Sequence, residues 1–159
     1  CGSIDEMLAL IARKIRGFEA TILALIGSDP VWTRLDAAFR SIKGVAGRTV
    51  ARLLAELPEV GTLSNKAAAK LAGLAPLARD SGKRTGKRAV RGGRSSIRSI
   101  LFVVAEVVRR HEPDFAAFHK RLTQAGKPKK VIRIALAHKL LVRLNAKARD
   151  VRTQIQCTA

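Results

Sequence analysis

The chain has 159 residues, with 31 Lys and Arg against 12 Asp and Glu, a formal net charge of +19, and 47% apolar residues. That apolar share is ordinary for a globular protein and excludes a disordered basic tail, and two cysteines exclude a disulfide scaffold. The length suits about one domain, which buries roughly 68–70% of its unfolded surface and so has room for a core. A sequence pI near 11.5 on a folded domain points to a polyanionic partner, with nucleic acid first and an anionic membrane or the ribosome behind it.

Cys1 and Cys157 stand at the extreme ends, where a structural disulfide is not expected, and a reducing, cytoplasmic setting fits. His111, His119 and His138 are scattered singles, and no group of Cys, His or acids has metal-ligand spacing, so no metal site is expected. No apolar run approaches the roughly 18 residues of a membrane span, and the start does not read as a secretory signal. Without an initiator Met, a chain beginning at Cys1 reads as a piece of something longer.

In chain order, the first predicted helix covers residues 4–26. Ile4, Leu8, Ile11, Ile15, Phe18, Ile22 and Leu25 alternate by four and three, an a/d seam over three heptads. Two readings stand: an amphipathic helix packed on its own domain, or a coiled coil that pairs chains or joins a further domain. Gly27, Ser28, Asp29 and Pro30 end it. A short helix over 31–41 places Trp32, Leu35 and Phe39 on one face. Ile42, Lys43, Gly44, Val45, Ala46 and Gly47 then lead to a helix over 49–57, the outline of a helix-hairpin-helix. Such a turn offers glycine backbone and free N–H groups to a phosphate, here through Gly44, Gly47 and Arg48. A plain core turn reads equally well, and Ala46 stands where a second glycine is usual.

Ser64 caps a helix over 65–72 that Gly73 stops. From Arg79 to Arg98 the composition shifts to eight basic residues against Asp80 alone. With Gly82, Gly86, Gly92 and Gly93 this reads as an irregular loop, with room for a short hairpin. Phosphate contact is expected from Arg79, Lys83, Arg84, Lys87, Arg88, Arg91, Arg94 and Arg98. Ser95 or Ser96 opens a helix with Ile97, Ile100, Leu101, Val104 and Val108 toward the core, broken at Glu112–Pro113. A helix over 115–124 closes at Gly126. Lys127, and Lys129 and Lys130 at the start of the last helix, 129–147, add to the cationic set; Val131, Ile134, Leu141 and Leu144 form that helix's apolar face. No strand of convincing length is predicted. The fold class is all-α: an N-terminal coiled-coil helix, then a helical domain with a helix-hairpin-helix-like motif and one basic loop.

Ser81 lies between Asp80 and Gly82 in that loop. On residue chemistry it is either a turn residue or a nucleophile whose attack on a phosphodiester the neighbouring arginines would assist. The block Lys70-Leu71-Ala72-Gly73-Leu74-Ala75-Pro76, the run Arg79-Asp80-Ser81-Gly82, the run Gly92-Gly93-Arg94 with Ile97-Arg98, and Ala125-Gly126-Lys127-Pro128-Lys129-Lys130 belong to an ordered series over about residues 41–149. The series resembles the C-terminal serine domain of DEDD-type insertion-sequence transposases, the bridge-RNA-guided recombinases related to pilin-gene invertases. The resemblance implies DNA strand cleavage and transfer with Ser81 as the nucleophile of a phosphoserine–DNA intermediate. It also implies an upstream ribonuclease-H-like domain whose acids hold Mg2+, a structured guide RNA, a coiled-coil link that assists homo-oligomerisation, and work at a bacterial nucleoid. No cofactor is expected on this chain itself, which divides into a linker helix (1–30), the serine domain (31–150) and a tail (151–159). The alternative is a non-catalytic DNA- or RNA-binding module.

Overall fold

The structure, a computed structural model, describes residues 2–77 and 89–157. Helix α1 (Gly2–Ser28) leads into α2 (Pro30–Arg40) through a fixed corner. Asp29 Oδ1 accepts from the N–H groups of Val31 (2.7 Å) and Trp32 (3.0 Å), and Pro30 fills the first helical position, where no N–H is needed. Then follow α3 (Gly47–Glu56), α4 (Asn65–Leu71), the two-residue strands β1 (Pro76–Leu77) and β2 (Ala89–Val90), α5 (Ser95–His111), α6 (Pro113–Gln124) and α7 (Lys129–Gln156). The strands pair antiparallel, Pro76 opposite Val90 and Leu77 opposite Ala89. The described residues are thus all-α apart from this short ladder.

Helix α7 is the central element, packed by α2, α4, α5 and α6. It buries Ile132, Leu136, Ala137, Leu140, Leu141, Leu144, Asn145, Ala148 and Val151. Of the apolar face expected from the sequence, Leu141 and Leu144 are buried but Val131 is 51% exposed, and the core also takes Ile132, Leu136 and Leu140, which lie outside that face. Neighbours on several sides widen the covered arc beyond one stripe, so a single-face template picks the wrong phase. The helix also runs on past Lys147 to Gln156, because Ala148 and Val151 still have core to meet.

Several end signals act as expected. Ser64 Oγ caps α4 by accepting from the N–H of Ala67 (3.2 Å), and Gly73 and Gly126 take positive φ after α4 and α6. Ser95 opens α5 as its first residue, behind an N-cap, Arg94, in extended backbone. Leu35 and Phe39 of α2 are buried while Trp32 is 41% exposed, so the predicted face is two-thirds right. In α1 the seam residues Ile4 to Leu25 are 43–67% exposed, and only Ile26 is buried, where the helix end meets α2 and α3.

A polar network ties the 57–63 loop to α7. Asn145, fully buried, accepts from the N–H of Gly61 (2.8 Å) and donates to the carbonyl of Leu63 (3.0 Å) and to Asn65 Oδ1 (2.9 Å). Arg152 donates to the carbonyls of Pro58 (2.9 Å) and Val60 (3.0 Å). Loop carbonyls with no ladder partner are thereby satisfied by the helix they cross.

Candidate nucleic-acid interface

The ladder of β1 and β2 brackets residues 78–88. Ser81 and five of the predicted phosphate contacts, Arg79, Lys83, Arg84, Lys87 and Arg88, lie outside the described residues. What the structure places in detail is the foot of the ladder, where the ends of α3 and α4 meet the start of α5.

Two glycines make that meeting possible. Gly73 (φ +67°) and Gly93 (φ +60°) stand backbone to backbone, so a Cβ on Gly73 would sit 2.2 Å from the carbonyl oxygen of Gly92. One on Gly93 would sit 2.4 Å from the nitrogen of Gly73. No side chain fits at either position. The N–H of Arg94 donates to the carbonyl of Leu71 (2.8 Å) and completes the join.

Arg94 is held in a fork on Glu59, with Nη1 to Oε2 at 2.6 Å and Nη2 to Oε1 at 2.7 Å, and Nη1 also donates to the carbonyl of Glu56 (2.8 Å). The hydrogen bonds from Arg94 hold the Glu59 carboxyl down at about 2. Glu56 is also lowered, chiefly by the hydroxyl of Ser96 and then by Arg52, both of which donate to it. Arg98 Nη1 donates to the carbonyl of Gly92 (2.8 Å). Arg94 and Arg98, both predicted to clamp phosphate, are therefore engaged inside the fold. The sequence could not reveal this, since composition counts charges and not partners, and Glu59 is 35 residues from Arg94.

The helix-hairpin-helix outline has a similar outcome. Gly44 takes φ +100°, and a Cβ there would lie 3.1 Å from the backbone of Val108 in α5. Close helix approach accounts for this glycine without any ligand. The N–H of Lys43 donates to Glu112 Oε1 (3.2 Å), so the turn is stitched to the α5–α6 corner. Gly47 opens α3 beside Leu23 of α1, and Arg48 pairs with Glu19 across the same junction. No side chain caps the start of α3.

The rest of the predicted set faces solvent. Arg91, Lys127, Lys129 and Lys130 are exposed and form no ion pair among the described residues. Lys129 and Lys130 occupy the first turn of a 28-residue helix with no acidic residue there, so two positive side chains sit on the positive end of the dipole. That costs energy alone and is relieved by an anion. Between the ladder and α7 lies a cleft of about 860 Å³ whose lining includes Pro76, Val90, Phe118, Lys130, Ile134 and His138. It brings Lys130 to the side of the ladder, a proximity that no local pattern announced.

Lys139 and Arg143 show the opposite fate of basic residues. Both bond Asp114 Oδ2, at 3.0 and 2.7 Å, and both lie over the ring of Phe115. Burial pushes the Asp114 carboxyl up, but these two cations outweigh it and the net displacement is downward. No group of three or more His, Cys, Asp or Glu gathers among the described residues in a way that would hold a metal, and no helix there is long and apolar enough to cross a membrane.

Residues 36–120 match the transposase IS116/IS110/IS902 family. The chain is 35% identical over 141 residues to the pilin gene-inverting proteins of Moraxella bovis and Moraxella lacunata, covering 86% of this chain and 44% of each relative. It is 31% identical over 151 residues to the insertion element IS110 uncharacterized 43.6 kDa protein of Streptomyces coelicolor, covering 93% of this chain and 36% of that one. The chain thus spans less than half the length of the curated relatives it matches.

Proposed function

Because the chain belongs to the transposase IS116/IS110/IS902 family, we propose that it is the DNA-binding serine domain of an enzyme of DNA transposition or recombination. The observation that carries this reading is the family match over residues 36–120, an interval that contains Ser81 and the whole basic stretch from Arg79 to Arg98. The names of the Moraxella relatives, proteins that invert a pilin gene, support a strand-exchange reaction.

In this reading Ser81 Oγ attacks the phosphorus of a DNA backbone phosphodiester. The bond to one sugar oxygen breaks, that oxygen leaves with a proton, and the strand stays joined to the protein as a phosphoserine ester. Attack by the sugar hydroxyl of another strand reverses the exchange and frees the serine. Arg91, Lys127, Lys129 and Lys130 hold the DNA backbone, together with the cations of residues 79–88, and contribute position rather than base recognition. Glu59, Arg94 and Arg98 build the foot of the ladder. In this reading Mg2+ and its acidic ligands belong to a ribonuclease-H-like domain outside this chain. A structured guide RNA supplies target choice, and the exposed seam of α1 pairs copies of the chain.

The test is a search for a covalent adduct. The chain is joined to the N-terminal domain of a pilin gene-inverting relative and given Mg2+, guide RNA and a labelled recombination site. The expected result is a labelled protein band on a denaturing gel that maps to Ser81 and disappears in Ser81→Ala while DNA binding is retained. Strand exchange at the parental rate in Ser81→Ala would overturn the nucleophile and leave the domain as a non-catalytic nucleic-acid clamp.

A further inference from the structure

Five observations converge on the foot of the β1–β2 ladder. Glu59 takes both nitrogens of the Arg94 fork, the geometry that fixes an arginine in angle as well as distance. The same guanidinium reaches the carbonyl of Glu56, so it spans the end of α3. The Arg94 backbone holds the end of α4 through Leu71. Arg98 ties Gly92 from the next turn of α5. Gly73 precedes β1 by three residues and Gly93 follows β2 by three, and these two glycines are in backbone contact inside the join. Both chain ends that lead to residues 78–88 therefore meet in backbone contact, and the charged fork anchors that junction to the end of α3.

Glu59 is also one of only 12 acids in a chain of net charge +19. A carboxylate beside a polyanion-binding face weakens binding, so its place there calls for a positioning task. We infer that Arg94, locked by Glu59, is a positioning residue that fixes the chain ends leading into the serine-bearing residues 78–88, and that it is not a phosphate ligand. The inference rests on the reading of Ser81 as nucleophile and adds to it which residues aim the segment.

Two variants test it in the same hybrid enzyme. Glu59→Gln removes the charge that holds the fork, and Arg94→Lys keeps the positive charge but loses the fork. Strand exchange is expected to fall in both by about a hundredfold, the scale set by a small misplacement of a reacting group. DNA affinity and its salt dependence stay at the parental level, and Tm is followed so that general unfolding is recognised. In the 159-residue chain alone, the cross-strand contacts between Leu77 and Ala89, read by NMR, weaken in both variants. If Arg94 binds phosphate instead, Arg94→Lys keeps its activity. Glu59→Gln, which frees the guanidinium, then tightens DNA binding and steepens its salt dependence. Either result overturns the inference. Unchanged strand exchange in both variants overturns it as well, while failure of the underlying reading shows separately as full activity in Ser81→Ala.

Discussion

Helices α1 and α7 are 27 and 28 residues long, and their fates differ completely. The first carries the cleanest apolar repeat in the chain, yet buries only Ile26. The second carries a looser, strongly basic pattern, yet buries nine residues and organises the fold. Periodicity shows that a face exists; burial depends on what stands opposite. Helix α7 has four helices around it, whereas α1 meets only α2 and α3 among the described elements. The two helices also use polar groups differently. Asn145 and Arg152 of α7 satisfy the carbonyls and N–H groups of the 57–63 loop, while Glu19 of α1 pairs with the exposed Arg48.

The sharpest way to break the α7 side is Gly61→Ala. Gly61 has φ +88°, and its new Cβ would lie 2.7 Å from the carbonyl carbon of Ala148. Left-handed strain and overpacking together are expected to cost about 3 kcal/mol, read as a lower denaturation midpoint at an unchanged m value. A loss below about 0.5 kcal/mol, the level of an ordinary surface change, would show that the loop does not rest on α7 as described.

Next in size is Asn145→Ala, which strands the N–H of Gly61 and uncouples Leu63 and Asn65. Leaving buried partners unsatisfied is expected to cost about 2 kcal/mol. Amide exchange checks it locally: the Gly61 N–H should exchange faster than its neighbours in α3. If the loss is spread evenly over the molecule with no local opening at Gly61, the network is not what holds the loop.

These positions also show what the sequence could and could not convey. End signals were legible because they are local: Ser64 bonds three residues ahead, and Gly73 and Gly126 need only their own φ. The core face of α5 was legible because one side of that helix is covered, so Ile97, Leu101, Val104 and Val108 fall on a single stripe. The phase of α7 was hidden by cover on several sides. The partners of Arg94 and the reason for Gly44 were hidden by distance along the chain, since Glu59 and Val108 are brought up by the fold alone. For the candidate site this matters most. A run of eight basic residues reads as a uniform cationic loop, but the structure separates its end into Arg91, which is exposed, and Arg94 and Arg98, which build the ladder foot.

The smallest expected effect on stability belongs to α1, and it is the most informative about partners. Ile15→Gln with Phe18→Gln replaces two exposed seam residues by a good helix former. Within one chain there is little burial to lose, so the unfolding free energy at high dilution should change by less than about 0.5 kcal/mol. Association behaves differently if the seam pairs copies of the chain. Sedimentation of the parent should then show a mass that rises with concentration, and the double variant should stay at the monomer mass throughout. Equal masses for parent and variant would remove pairing through this seam. A stability loss of core size in the dilute monomer would instead mean that α1 folds back on its own domain. That result would erase the contrast with α7, because both long helices would then owe their place to the same core.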